Sequence, residues 1–180
     1  MPIPEVAIRR GVIEDAAEAS RMHARTWKVS YRGLVPDALL DGLDPARWEV
    51  GWRRGFESMD PTRTVHVAEI GGRIVGFAGS GRARPGAPPG YSGEVYAIYV
   101  DPDHQGKGIG RSLLKKAAEG LVARGLVPLI IWTLFDNPQS RGFYESRGGT
   151  VVAERTEPFD GYELHEVGYG WRDAAPILRD

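Results

Sequence analysis

Three glycines, Gly106, Gly108 and Gly110, stand at alternate positions in "HQGKGIGR". They follow a run of β-branched and aromatic residues, "EVYAIYV", and precede an apolar pattern of helical period. Glycines at such a junction let the chain turn sharply. They also leave backbone N–H groups bare at the positive end of a helix dipole, which suits an anion such as a phosphate or pyrophosphate. Two phosphate motifs are excluded. A Walker A loop needs Ser or Thr after its lysine, and Lys107 is followed by Gly108. In the dinucleotide fingerprint the third glycine falls one residue later, where Arg111 stands. The alternative is a glycine-rich turn with no ligand. Lys107 and Arg111 add positive charge beside the turn, although either one alone suits a solvated face.

Other residues have types suited to proton transfer or recognition. Glu94 opens the preceding strand, and strict alternation puts Glu94, Ile98 and Val100 on one side. A carboxylate packed against Val95, Tyr96 and the sheet is desolvated, which raises its pKa toward that of a general base. An exposed strand-end glutamate is the alternative. His23 and Tyr96 are the other candidate bases, acting through a water. His23, Trp27 and Tyr31 share one helix face, as core or as a pocket wall. Arg82 and Arg84, in a long loop, suit a carboxylate-bearing ligand. Phe159, Asp160 and Tyr162 are expected near the start of the Glu94 strand.

The elements that must position these groups follow from period and punctuation. "VAIRRG", Val6–Gly11, reads as a first strand. Asp15 and Glu18 have capping-box spacing before a helix over Ala16–Ser30. "LVPDALLDGL" holds a turn and a short helix. Asp44-Pro45 supplies an N-cap and a first-turn proline for the next helix. "TVHVAEI" and "RIVGFAGS" flank Gly-Gly as a hairpin. Gly81–Gly93 is too long and too rich in Pro and Gly for a tight turn. After the Glu94–Val100 strand, Ile109, Leu113, Leu114, Ala117, Ala118, Leu121 and Val122 mark one helix face that ends near Gly125. "VPLIIWTLF" is a buried strand, "NPQSRGFYESRGG" a short helix, and two strands surround "PFDG". Strand–helix–strand around the glycines predicts a right-handed parallel crossover. The whole reads as one mixed α/β sheet with helices on both faces.

Composition sets the bounds. The chain has 180 residues, 42% of them hydrophobic and 26% charged, which is ordinary for one globular domain. A formal net charge of −1 argues against a broad nucleic-acid surface or an anionic-membrane surface. The absence of cysteine excludes disulfides, thiolate metal sites and a cysteine nucleophile. No apolar run suggests a signal peptide or a membrane span, so a cytoplasmic protein is expected, with no metal. One domain over residues 1–173 and a tail over 174–180 are expected.

Two motifs carry a family resemblance. "QGKGIG", Gln105–Gly110, after "YVDPDH" resembles the acetyl-CoA signature of the GNAT acetyltransferases, with Gln105, Gly108 and Gly110 at its fixed positions. "NPQSRGFYESRGG", Asn137–Gly149, resembles that family's second motif, although Arg147, Gly148 and Gly149 stand where Leu-Gly-Phe is usual. The resemblance implies a single GNAT-like domain, a mostly antiparallel twisted sheet with a central strand–helix–strand cradle. Acetyl-CoA is the implied cosubstrate. Gln105, Gly106, Lys107, Gly108, Ile109, Gly110 and Arg111 would cradle its pyrophosphate, Ile98, Tyr99 and Val100 would pair with its pantetheine arm, and Asn137 would bond that arm from the other side. Tyr144 resembles the tyrosine that protonates the leaving thiolate, and Glu94 a general base. His23, Trp27, Tyr31, Arg82, Arg84 and Tyr96 are candidates for the acceptor side. The implied reaction is direct attack of a primary amine, of a small molecule or of a protein, through a tetrahedral intermediate. A CoA-binding sensor without turnover is the alternative. The family also makes a homodimer plausible.

Overall fold

The computed structural model describes residues 5–179; the first four residues and the last one, covered by the 1–173 and 174–180 boundaries, lie outside the described residues. Seven strands form one sheet in the order β1-β2-β3-β4-β5-β7-β6. They are β1 (Ala7–Arg10), β2 (Thr64–Ile70), β3 (Arg73–Arg82), β4 (Gly93–Val100), β5 (Leu129–Leu134), β6 (Thr150–Phe159) and β7 (Tyr162–Trp171). Among these pairs only β4 and β5 run parallel, joined through α4 (Ile109–Ala123). The sheet is therefore mixed and mostly antiparallel.

Helices cover both faces. On one, Leu113, Leu114, Ala117 and Ala118 of α4 pack with Val95 and Val100. Tyr144 of α5 (Pro138–Ser146) joins the same core. On the other, Ala19 and Met22 of α1 (Ala16–Ser30) pack on Val67, Ile74 and Phe77. Beside them lie α2 (Asp37–Asp41), whose Leu39 and Leu40 are buried, and α3 (Pro45–Phe56). Asp44 caps α3 as its sequence predicts, its Oδ1 accepting from Ala46 N–H at 2.9 Å. Asp15 does not cap α1. Its carboxylate accepts from Val12 N–H and from both Nη atoms of Arg9, closing a single 3₁₀ turn ahead of the helix.

Three expectations change at this level. Val122, counted in the apolar face of α4, is exposed because that helix turns it away from the sheet. Residues 174–178 are no tail: α6 (Ala175–Leu178) packs onto the core, with Ala174 and Ile177 buried. The missing Leu-Gly-Phe after α5 is replaced from elsewhere in the chain. The Trp171 ring lies 2.6 Å from where a Cβ on Gly149 would sit, and its Nε1 donates to Arg147 O at 2.9 Å. Glycine is required at 149 because an aromatic ring occupies the space of its side chain.

A further change concerns β4 itself. It pairs with β3 throughout, but its register slips: Ala97 faces Gly79 and Val95 faces Ser80, so Tyr96 has no opposite residue. This is a β-bulge, which breaks alternation and bends the strand. Val95, Ile98 and Val100 consequently share the α4 face, although 95 and 98 are three apart. Ala97 and Tyr99 lie on the α1 face. Glu94, the neighbour of Val95, is therefore opposite Ile98 and Val100 and not beside them.

Candidate active site

Downstream of the bulge the sheet opens. β4 and β5 pair only through Gly93–Leu129, Glu94–Ile130 and Val95–Ile131. Both strands continue, β5 staying paired with β7 as far as Leu134. Alternate backbone groups of β4 beyond Val95 thus face a split instead of a strand. Unpaired buried backbone is costly, so such a split is a place for a ligand that bonds like a strand. A groove of about 450 Å³ runs through it. Because the groove crosses the sheet, side chains of both β4 faces line it, including Ile98, Tyr99 and Val100.

At one end of the groove is the turn into α4. Gly106 and Gly108 have φ of +73° and +80°, the left-handed region that glycine alone enters without strain. Gly110 is different. It has ordinary backbone, and a Cβ there would meet Phe143 and Val100 at 3.8 Å, so the protein itself leaves room for one. Gly110 lines the groove together with Gln105, whose Nε2 donates to Val100 O at 3.0 Å. The remaining predicted cradle residues are placed unevenly. Lys107 is exposed and its Nζ donates to Asp103 O, Arg111 is half-exposed, and the Ile109 side chain is in the core. Asn137 lines the groove, but its side chain also caps α5: Oδ1 accepts from Ser140 N–H at 3.1 Å and Nδ2 donates to Ser140 Oγ at 2.9 Å. Any bond to a ligand arm must come from what that cap leaves over. The pieces fit acetyl-CoA: an exposed left-handed turn at a helix N-terminus, a backbone edge in the split, and a glycine whose missing side chain keeps the groove open.

Tyr144 lines the same groove from α5 and is 5% exposed. Its ring meets Phe143, Tyr169 and Trp171. Burial, and secondarily Tyr99, push its phenol well above the ordinary tyrosine range, so it stays protonated. Among the described residues its hydroxyl makes no hydrogen bond. A neutral O–H facing a groove is a proton donor waiting for an acceptor.

The acceptor-side candidates divide. His23, Trp27, Tyr31, Arg84 and Tyr96 line the groove, and Tyr31 and Tyr99 share a hydroxyl hydrogen bond at 3.0 Å. Arg82 lines neither the groove nor the cavity beside it; it is exposed, and its carbonyl accepts from Tyr96 Oη at 2.7 Å. That bond commits the Tyr96 proton. Phe159 lies in the groove against Trp27, whereas Asp160 pairs with Arg47. His23 is enclosed by Trp27, Trp48, Trp52, Phe77 and Tyr99, and neither ring nitrogen has a partner. Burial drops its pKa to about 3, so it is a neutral imidazole at physiological pH.

Glu94 departs furthest from expectation. It is 1% exposed and lines neither the groove nor the cavity. Oε2 accepts from Arg84 N–H at 2.8 Å, and Oε1 from Arg84 Nη2 at 2.5 Å and Nε at 3.0 Å. Both oxygens are held by the residue expected to greet a substrate carboxylate. The pair ties the long loop to the sheet; it offers no free base.

A second cavity, of about 360 Å³, meets the groove at His23, Tyr96 and Ala97. Trp48 and Trp52 of α3 and Phe77 of β3 form its walls. The sequence reading missed these three. The available signal was Trp48-x-x-Gly51-Trp52-x-x-Gly55, one face of α3 with gaps where a packed helix would place apolar residues.

Split sheet, glycine turn and groove tyrosine together define an acetyltransferase fold. The model of the Acetyltransferase (GNAT) family matches residues 28–149. An uncharacterized N-acetyltransferase of Bacillus subtilis (strain 168), YuaI, is 33% identical over 173 residues, 96% of each chain. A mycothiol acetyltransferase of Frankia alni is 30% identical over 97% of this chain, which spans 50% of that protein. The crystal structure of PaiA N-acetyltransferase from Thermoplasma acidophilum in complex with coenzyme A shares the fold, with a TM-score of 0.73 at 18% identity, covering 93% of this chain and 99% of that one. The chain belongs to the GNAT family and is an acetyl-CoA-dependent N-acetyltransferase.

Proposed function

We propose that this enzyme acetylates a primary amine of a small molecule, with the groove holding the donor and the aromatic cavity holding the acceptor. The observation that carries this reading is the junction of the two at His23, Tyr96 and Ala97. A small side cavity meeting the groove suits a compact acceptor better than a long peptide.

Acetyl-CoA supplies an activated thioester and a good leaving group. The residues of the chain do the rest. Backbone N–H groups of α4 and its glycine turn would bind the phosphates. The open edge of β4 would align the arm and present N–H donors where negative charge develops. Tyr144 would hand its proton to the departing sulfur. The tryptophan walls strip water from the entering amine, which favours its neutral, nucleophilic form. Since the Glu94 carboxylate is held by Arg84, the amine proton leaves through water in the open groove.

The test measures thiol release from acetyl-CoA across a panel of small amines, alongside calorimetry with CoA. Turnover on at least one amine supports the reading. Tight CoA binding with no turnover on any amine would make the protein a sensor.

A further inference from the structure

We infer that the acceptor is a zwitterionic monoamine with a bulky apolar body, an amino acid with an aromatic or branched side chain, whose carboxylate is held by Arg63. This rests on the acetyl-transfer reading above and adds the substrate class.

The argument starts from α3. Trp48, Gly51, Trp52 and Gly55 lie three and four residues apart, and all four line the cavity. No residue of α3 is buried, although helices of this length usually bury an apolar stripe. The tryptophans reach toward the sheet. Gly51 leaves an open slot between them, since a Cβ there would meet nothing within 4 Å, whereas the space at Gly55 is taken by the Arg63 guanidinium, whose Nη2 lies 3.3 Å from where a Cβ would sit. Opposite stand Phe77, Tyr96 and the neutral ring of His23. Such a space takes an apolar body.

Charge decides what else the acceptor carries. The charged groups lining the cavity are Arg47 and Arg63, with no Asp or Glu among the lining residues. A polyamine or aminoglycoside would bring several cations to a wall with no carboxylate and two guanidiniums, and would lose hydration without compensation. An anionic group finds a partner instead. Arg47 makes one exposed contact, Nη1 to Asp160 Oδ1 at 3.1 Å, and its side chain points largely to solvent. Arg63 forms no ion pair with any described residue, and its guanidinium carbon sits 5.5 Å from the centre of the Tyr96 ring. Nearby Asp60 bonds Thr62 through Oδ1 and feels the charge of Arg63 without pairing with it. Arg63 thus lies on the cavity wall between Gly55 and Tyr96, a residue shared with the groove, and its side chain makes no hydrogen bond to any described residue. In an α-amino acid the amine and carboxylate are separated by one carbon, which matches a single recognition point next to the reaction point.

The experiment compares kcat/KM for tryptophan with tryptamine, phenylalanine with phenethylamine, and leucine with isoamylamine. Spermidine and kanamycin serve as polycations. The wild-type enzyme should prefer each amino acid to its decarboxylated partner by about tenfold or more, the scale of one charged hydrogen bond. In Arg63→Gln, KM for the amino acids should rise about 10- to 100-fold, with kcat and the decarboxylated amines little changed. Arg63 is exposed, so folding is not at risk. Preference for a polycation or a decarboxylated amine, or equal losses on both members of a pair in the variant, overturns the inference and leaves the transferase reading standing. No turnover on any amine, with CoA bound, overturns that reading itself.

Discussion

Tyr144 and Glu94 show how one residue's surroundings assign its work. Tyr144 keeps a free, protonated hydroxyl on the groove. In Tyr144→Phe, kcat should fall about 10²-fold, the usual scale of general acid catalysis, while calorimetry finds acetyl-CoA affinity near that of the wild type. Equal losses in binding and turnover would make it a packing residue. Glu94 is the reverse case, a buried carboxylate whose two oxygens accept from Arg84 and which lines neither the groove nor the cavity. Glu94→Gln keeps the shape but leaves the Arg84 guanidinium without its counter-charge. It should cost about 1.5–3 kcal/mol in urea unfolding, the range for hydrogen bonds to charged groups. The acidic limb of its pH–rate profile should match that of the wild type. If that limb disappears in the variant, Glu94 reaches the amine after all.

At the scale of elements, the turn into α4 and the split between β4 and β5 are the proposed seat of the donor. Gly106 and Gly108 serve the turn, and Gly110 keeps open the space the donor would fill, so their substitutions should differ. Gly108→Val forces a β-branched residue into the left-handed region, at about 1–2 kcal/mol, and re-aims the N–H groups of the turn. CoA dissociation constants should rise about tenfold or more. Gly110→Ala meets only ordinary contacts in the protein, so its thermal midpoint should stay put while CoA affinity drops. Unchanged CoA affinity in both folded variants would remove the glycine turn from the donor site.

For the whole molecule, the enclosed histidine couples the aromatic cavity to stability. His23 has an ordinary pKa of 6.5 when unfolded and about 3 in the fold, and burial also lowers that of His66. Between those values the unfolded chain binds more protons than the native one, so stability is complete above about 6.5 and declines as pH falls toward 3. The carboxylates lowered by arginine partners, Asp15 and Asp101, act only in the more acidic range, around and below the ordinary value of 3.8. Urea midpoints taken from pH 7 to pH 4.5 should therefore fall steadily, and His23→Leu should flatten that slope. A slope identical to that of the wild type would mean that the imidazole charges freely inside its aromatic cage.

Apart from α6, which reads as a tail, the order and type of the elements follow from the sequence alone, because they rest on local causes: apolar period, Asp44-Pro45, the Gly71-Gly72 hairpin and the glycines before α4. The glycine turn was legible for the same reason, being one strand, one turn and one helix start. Three things needed the tertiary structure. Alternation fails at Tyr96 because a bulge depends on how β4 pairs with β3, and this moves Glu94 to the other face. Arg84 takes that carboxylate because a loop ten residues away folds back onto it. The aromatic cavity is assembled from α1, α3, β3 and β4, segments whose separate patterns read as core; only their packing leaves a space between them, with Arg63 at its edge.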